Sequence, residues 1–406
     1  MRLRIKDICD YVSRGTTPDY VDEGANKVMN QATFSKGWID ESNIRYTSKT
    51  NKGARIMKGD LLMASTGGGV LGKVFFFDDD DSFYADSHVT IMRNSKGANL
   101  MKYLYYYFYL RYDEINATMV KGSTNQTELQ RNYLLSYELD VPTLADQQRM
   151  VTYLDTKLSE IDHQVSLLTS KRDAYLRLKK SIINHAVTRG LNPNVKMKDS
   201  GIEWPGEVPE HWEVKRMKDI CDYISRGSTP DYVDEDYQKV MNQGTFSKGW
   251  IDESNIRYTK VGKSGAHIKK GDLLMASTGG GVLGKILYFD SIDENYYADS
   301  HVTIMRNSKG INSMKFLFYH FSLRFDEINA TMTKGSTNQT ELQRYELLSH
   351  KIAIPPLPEQ HAIATYLDDK CAKIDTILSN LNKQISRYGD LKRSLIDEVI
   401  TGKRAV

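Results

Sequence analysis

The stretch that decides the fold is Leu154-x3-Leu158-x2-Ile161-x3-Val165-x2-Leu168-x3-Arg172-x2-Tyr175, where apolar or long-stemmed side chains recur in alternating steps of four and three. A period of 3.5 residues keeps one stripe of a helix facing a partner. The same steps return at Leu367, Cys371, Ile374, Leu378, Leu381, Ile385 and Tyr388, and the interval is constant (367 − 154 = 213; 388 − 175 = 213). The chain therefore holds two copies of one rod, each roughly 65 Å long at 1.5 Å per residue. One such stripe alone would be read as packing on its own globular domain. Two matching copies favour the helices packing on each other, antiparallel.

Outward from the rods the duplication continues. Ile8-Cys9-Asp10-Tyr11 returns as Ile220-Cys221-Asp222-Tyr223 (220 − 8 = 212), and residues 28–46 return nearly unchanged at 240–258. One extra residue enters the second copy within 290–295; beyond it, residues 85–94 and 121–131 recur at 298–307 and 334–344 without a change. The order is globe (1–143), rod (144–190), a linker (191–212) marked by Pro193, Pro205, Gly206 and Pro209, globe (213–356), rod (357–406). In the first globe, β-branched and alternating runs at 56–64, 73–77 and 87–92 predict strands. A helix over 100–118, a polar loop, a short helix opened by Thr127 and Glu128, and a strand over 135–141 follow. The fold class is α+β: two duplicated mixed domains separated by two long helices that pack as an antiparallel coiled coil. Such a pair would relate its globes by an approximate twofold axis, the symmetry of duplex DNA with inverted half-sites.

The bulk numbers narrow the function. With 406 residues there is room for two or three domains. Lys plus Arg is 55 against 52 for Asp plus Glu, a net charge of +3, so any nucleic-acid surface is local rather than a field of the whole chain. The three cysteines show no C-x-x-C or Cys/His ligand spacing, which points to a reducing, cytosolic setting without disulfide or zinc. The start mixes Arg, Lys and Asp through its apolar residues, unlike a secretory signal. The most membrane-like run, 103–110, is too short to span.

Gly67-Gly68-Gly69-Val70-Leu71-Gly72-Lys73, repeated at 279–285, satisfies G-x-x-x-x-G-K. A P-loop needs Ser or Thr next and then a helix. Val74 and Ile286 stand there instead, leading into strand-like sequence, so we read a glycine hairpin whose backbone and Lys73 or Lys285 approach phosphate. Pro18-Asp19 and Pro230-Asp231 lack a following Asp/Glu-x-Lys, and Asn192-Pro193-Asn194-Val195 lacks the aromatic that holds a flipped adenine. His88 and His301, in apolar runs, read as structural first and as DNA contacts second. No catalytic or metal-binding constellation emerges.

Polar and aromatic residues between elements remain. Arg14, Thr16, Thr17, Tyr20, Asn30, Gln31, Thr33, Ser35, Lys36, Ser65, Thr66, Lys73, Lys121, Ser123, Thr124, Asn125 and Gln126 form the candidate DNA-reading set of the first copy. Its counterparts are Arg226, Ser228, Thr229, Tyr232, Asn242, Gln243, Thr245, Ser247, Lys248, Ser277, Thr278, Lys285, Lys334, Ser336, Thr337, Asn338 and Gln339. Asn and Gln pair bidentately with adenine, Arg and Lys with guanine or phosphate, and Ser and Thr with either. Turn-making and capping compete for the same residue types.

At this point the chain resembles a specificity subunit of a type I restriction-modification system, in which two target-recognition domains alternate with two helical regions. The resemblance covers the whole chain. It is carried by Pro209-Glu210-His211-Trp212 leading to Gly227-Ser228-Thr229-Pro230, by Lys270-Gly271-Asp272-Leu273-Leu274, and by Ile354-Pro355-Pro356-Leu357-Pro358-Glu359-Gln360 opening the second rod. The first copy lacks the Pro-x-x-Trp lead-in, and its rod opens Val141-Pro142-Thr143-Leu144-Ala145-Asp146-Gln147 with fewer prolines. The resemblance implies a non-catalytic subunit that binds double-stranded DNA and recruits two methyltransferase (modification) subunits and restriction/translocase subunits. It places S-adenosylmethionine, ATP and Mg on those partners and none in this chain, with no membrane role and a cytoplasmic location. A coiled-coil adaptor without DNA readout, and a methylation-only complex, stay open. The copies differ most at 47–52 against 259–264, at Arg55 against His267, and at 76–82 against 288–295.

Overall fold

The structure, a computed structural model, describes all residues except 25, 49–50, 96, 123–126, 236–237, 261–265, 294 and 336–339, and only the backbone of 98 and 99. The chain forms two compact units, Met1–Thr169 with Lys383–Val406, and Ser170–Asn382. Each is built from one globe, the start of one rod and the end of the other.

In the first unit an antiparallel sheet runs Tyr11–Arg14, Val89–Arg93, Leu61–Ala64, Val74–Phe76. Its strand Leu61–Ala64 is buried throughout, because alternate side chains feed two cores. Leu61 and Met63 join a core with Val12, Met92 and the helix Ala98–Tyr109. Leu62 and Ala64 join a second with Phe34, Phe77, Phe83 and Ile91. That second core underlies a five-stranded sheet, Tyr20–Val21, Arg45–Thr47, Asn26–Met29, Phe83–Ala85, Arg55–Ile56. Only the pairing of Asn26–Met29 with Phe83–Ala85 is parallel. Between the cores Asp60, fully buried, is held by Arg93 through two bonds of 2.6 and 2.7 Å.

The rods are Leu144–Arg189 and Leu357–Ile400. In the first unit Leu154, Leu158 and Ile161 share the first core with Leu395, Ile396, Val399 and Ile400, and Asp162 accepts from Lys392 at 2.6 Å. The start of one helix meets the end of the other, so the pairing is antiparallel. The second unit uses the equivalent parts: Ile363, Leu367 and Cys371 meet Ile183, Ala186 and Val187, and Lys179 donates to Asp375 at 2.6 and 2.7 Å. The two readings of the stripe both hold, since one core takes both the partner helix and the globe. Each fully buried Leu or Ile there contributes about 1.5–3 kcal/mol relative to exposure.

Three local expectations change. The strand expected over 56–64 is two, Arg55–Ile56 at the edge of the five-stranded sheet and Leu61–Ala64 in the four-stranded one. The helix expected over 100–118 is two helices, Ala98–Tyr109 and Tyr112–Thr118. The chain turns between them so that Ile115 is buried against Gly72 and Asn116 donates to the Leu71 carbonyl at 2.9 Å. Thr127 and Glu128 open no helix; Glu128–Leu129 is a strand on Val120–Lys121, tied to the glycine loop by Leu129 N–H to Ser65 O at 2.9 Å, and the helix starts later at Arg131–Ser136.

The second globe repeats this plan. The counterpart of the five-stranded sheet runs Tyr232–Val233, Arg257–Thr259, Gln238–Met241, Tyr296–Ala298, and among the described residues a single bridge from His267 to Tyr297 stands where Arg55–Ile56 adds a fifth strand in the first. Residues 191–212 carry a hairpin, Met197–Asp199 on Glu207–Pro209, with Trp212 fully buried. Among the described residues, no helix is long and apolar enough to cross a membrane.

Candidate nucleic-acid interface

The site forms where the chain leaving strand Tyr11–Arg14 crosses the turn before strand Val89–Arg93. A Cβ on Gly15 would lie 2.2 Å from the Ala85 carbonyl oxygen, so only glycine permits the crossing. Thr16 N–H then donates to Ala85 O at 3.2 Å, and Arg14 Nε donates to Ser87 O at 3.1 Å. The turn itself is set by Asp86, whose carboxylate accepts from His88 N–H at 2.8 Å, an Asp side chain bonding its own backbone two residues on. Asp86 is buried, and burial raises its carboxyl above the usual range while the His88 N–H bond pulls it back.

The glycine loop meets this turn. It is a hairpin: Gly67, Gly69 and Gly72 have φ of +85°, and strand Val74–Phe76 follows. At its start Thr66 Oγ lies 2.7 Å from His88 Nδ1 and donates to Gln31 Oε1 at 3.2 Å. Tyr20, exposed under Arg45 (5.2 Å from ring centroid to guanidinium), reaches Asp86 at 3.4 Å. Arg14 Nη1 is 3.6 Å from Glu128. Arg14, Thr16, Tyr20, Gln31 and Thr66 are thus gathered around an exposed His88, with Thr17 exposed alongside.

The second copy repeats the cluster. Thr278 Oγ is 2.7 Å from His301 Nδ1, Tyr232 reaches Asp299 at 3.3 Å, and Arg226 donates to Ser277 O at 3.2 Å and lies 3.5 Å from Glu341. Ser228 N–H bonds Ala298 O, and Thr229 Oγ donates to Ser300 at 3.3 Å. Gln243 Oε1 is buried without a partner.

Other expected readers do structural work. Asn30 and Asn242 cap the turns Gln31–Phe34 and Gln243–Phe246. Thr33 and Thr245 are fully buried, bonding the carbonyls of Asn43 and Asn255 at 3.3 Å. Ser65 and Ser277 are likewise buried, 2.6 Å from the hydroxyls of Thr90 and Thr303. The four buried hydroxyls correct the sequence reading, having no face left for a base, and the two asparagines commit their Oδ1 to a cap. Lys73 and Lys285, read as phosphate contacts, donate instead to the carbonyls of Ser35 (3.1 Å) and Ser247 (2.8 Å), bracing the hairpin. Lys36 and Lys248 are exposed in ion pairs with Asp40 and Asp252 at 2.7 Å. Lys121 and Lys334 are exposed, Lys121 5.5 Å over the Tyr133 ring. Ser123, Thr124, Asn125, Gln126 and their counterparts Ser336, Thr337, Asn338 and Gln339 lie outside the described residues.

Sequence reasoning ranked His88 and His301 as structural first and DNA contacts second, leaving them outside the candidate set by putting them inside strands. The signal was present: Asp-Ser-His before a β-branched run marks a turn, and a turn exposes its last residue. Among the described residues no group of three or more His, Cys, Asp or Glu is arranged to hold a metal ion.

Comparison with known proteins agrees with this duplicated plan. The family described as "Type I restriction modification DNA specificity domain" matches residues 1–167 and 209–387. The type I restriction enzyme MjaVIII specificity subunit of Methanocaldococcus jannaschii is 23% identical over 368 residues, covering 88% of this chain and 82% of that protein. The type I restriction enzyme EcoKI specificity subunit of Escherichia coli is 21% identical over 281 residues, covering 65% and 57%. A further M. jannaschii relative is 27% identical over 205 residues, and the chain spans about half (47%) of its length. A solved chain from work on the structural basis of complex assembly and conformational transition of the type I R-M system superposes with a TM-score of 0.73 at 15% identity, covering 98% of this chain and 97% of that one, a likeness of fold.

Proposed function

Because this chain belongs to the family of type I restriction modification DNA specificity domains, matched over both of its halves, we propose that it is the sequence-reading subunit of a type I restriction-modification complex. Each unit reads one half of a bipartite site in double-stranded DNA. The observation that carries this reading is the repeated surface cluster: the same Arg, Tyr, Gln, Thr and His side chains in both units, with the Thr–His and Tyr–Asp contacts recurring. Donors and acceptors of this kind are what base edges and phosphates require.

Since the readers are near-identical, the target is an interrupted palindrome, the same half-site twice in inverted orientation around unread bases. The chain performs no chemistry itself. It docks two adenine-N6 methyltransferase subunits, and restriction subunits join that core; S-adenosylmethionine, ATP and Mg act on those partners, in the cytoplasm. Exposed cations along the first rod, Lys171, Arg177 and Lys180, offer a docking face.

The test is a map of N6-methyladenine in DNA from cells expressing the chain with its methyltransferase partner. A single interrupted palindrome is expected. Two unrelated half-sites would defeat the equality of the readers and direct attention to Arg55 against His267. No mark, with an active partner, would defeat the DNA-reading role.

A further inference from the structure

His88 and His301 are exposed in both units, yet each imidazole is fixed from behind. The backbone is held on both sides of the ring: His88 N–H donates to Asp86 at 2.8 Å and its carbonyl accepts from Ser65 N–H at 2.8 Å. His301 makes the same pair of bonds, to Asp299 and from Ser277. The inner ring nitrogen meets a hydroxyl that has only one proton to give. In the first unit Thr66 gives that proton to Gln31 Oε1 at 3.2 Å, so at the 2.7 Å contact the His88 Nδ1 must be the donor. A neutral imidazole carries one N–H, and the outer Nε2 is left with its lone pair facing out. In the second unit Thr278 keeps the 2.7 Å contact with His301 Nδ1 while Gln243 Oε1 is buried with no partner, so the geometry assigns the tautomer of His88 alone.

Resting on the DNA-reading role above, we propose that His88 determines specificity at one base pair of its half-site, its Nε2 accepting from the exocyclic amine of adenine or cytosine. A lone pair held in the major groove matches the N6 amine of adenine and the N4 amine of cytosine, and it opposes the O6 of guanine and the O4 of thymine. Arg14 and Arg226, beside the rings, supply charge for the backbone that brings the base into register. Gln31 is a positioning residue, setting the tautomer through the Thr66 hydroxyl.

The experiment selects bound DNA from a pool in which every half-site position of the mapped target is randomised, using the assembled complex. With His88→Ala, preference for A or C should fall about tenfold to a hundredfold at one position of one half-site. Other positions should keep their preferences. His88→Phe keeps the ring without the acceptor and decides the matter should the alanine variant fail to assemble. Gln31→Ala frees the Thr66 proton for Nδ1, turns Nε2 into a donor, and should move the preference at that same position toward G or T, which a merely structural role would not do. An unchanged profile for the histidine variants, or equal flattening at every position, overturns the inference. A wild-type complex without preference anywhere overturns instead the reading on which it rests.

Discussion

Asn30 spends its Oδ1 and one amide proton on its own chain: Oδ1 accepts from the N–H of Ala32 (2.8 Å) and Thr33 (3.2 Å), and Nδ2 donates to the Asn43 carbonyl (3.3 Å). Asn30→Ala should therefore cost about 1 kcal/mol of stability, the usual value of a lost N-cap, and leave target preference unchanged. Urea unfolding and the randomised-pool selection measure the two effects separately, and an altered base preference would return Asn30 to the reading surface. Asn-Gln-x-Thr was read as a recognition sequence because these are the groups that grip adenine; it is also a helix-start signature, and composition cannot separate the two. Partners separate them. Gln31, one residue on, is turned toward Thr66, while Thr33 is turned into the core. Half of the site was legible, since residue types and turns follow from sequence. Which side chain keeps a free face depends on packing across the domain.

Among the elements, the first rod was legible to within a residue, Leu144–Arg189 against 144–190, and the second in its start but not its end, Leu357–Ile400 against 357–406; a long seam repeated at one offset is a strong signal. The break at Leu110 and the strand Glu128–Leu129 were not, since both are imposed by the glycine loop, which is distant in sequence. The corresponding helix of the second unit, Met314–Ser322, carries a difference with a measurable consequence. His320 is buried with neither ring nitrogen bonded, beside His350, Phe321, Trp204 and Arg324, whose guanidinium lies over Trp204 at 4.1 Å and pairs with Glu327. The first unit has Tyr107 and Tyr137 at these positions, their hydroxyls 3.2 Å apart and Tyr137 donating to Glu114 at 2.8 Å. Burial, with Arg324 next, lowers both histidines, His350 to about 4. Their folded values lie below the ordinary 6.5, so the unfolded chain binds more protons in between. Stability is then full above about pH 6.5 and is lost as pH falls toward 4. Hydrogen exchange at pH 7.5 and 5, corrected for intrinsic rates, should show the opening free energy of Met314–Ser322 falling and that of Ala98–Tyr109 holding. Equal responses would mean that the histidine cluster does not govern the second unit.

For the whole molecule, the duplication is itself a thermodynamic statement. Arg14 and Arg226 lie in different compact units and share no bonded partner, Arg14 meeting Ser87 and Glu128, and Arg226 meeting Ser277 and Glu341. Independent sites contribute additively to a binding free energy. The net charge of +3 supplies no general field to mask a local loss, so removal of either guanidinium should be felt through its own half-site. Arg14→Ala and Arg226→Ala, each in the assembled complex, should weaken DNA binding by equal factors, and the double variant by their product. If the arginines contact phosphate, each single variant should also reduce the slope of log affinity against log salt by about 0.9, and the double variant by about twice that. Titrations of labelled target DNA at several salt concentrations read all of these quantities. Unequal single losses would mean that near-identical sequences engage their halves differently, with Arg55 against His267 the first difference to exchange. A double loss no larger than either single one would mean that one unit carries the binding and the other is idle, which near-identical readers on an interrupted palindrome do not permit.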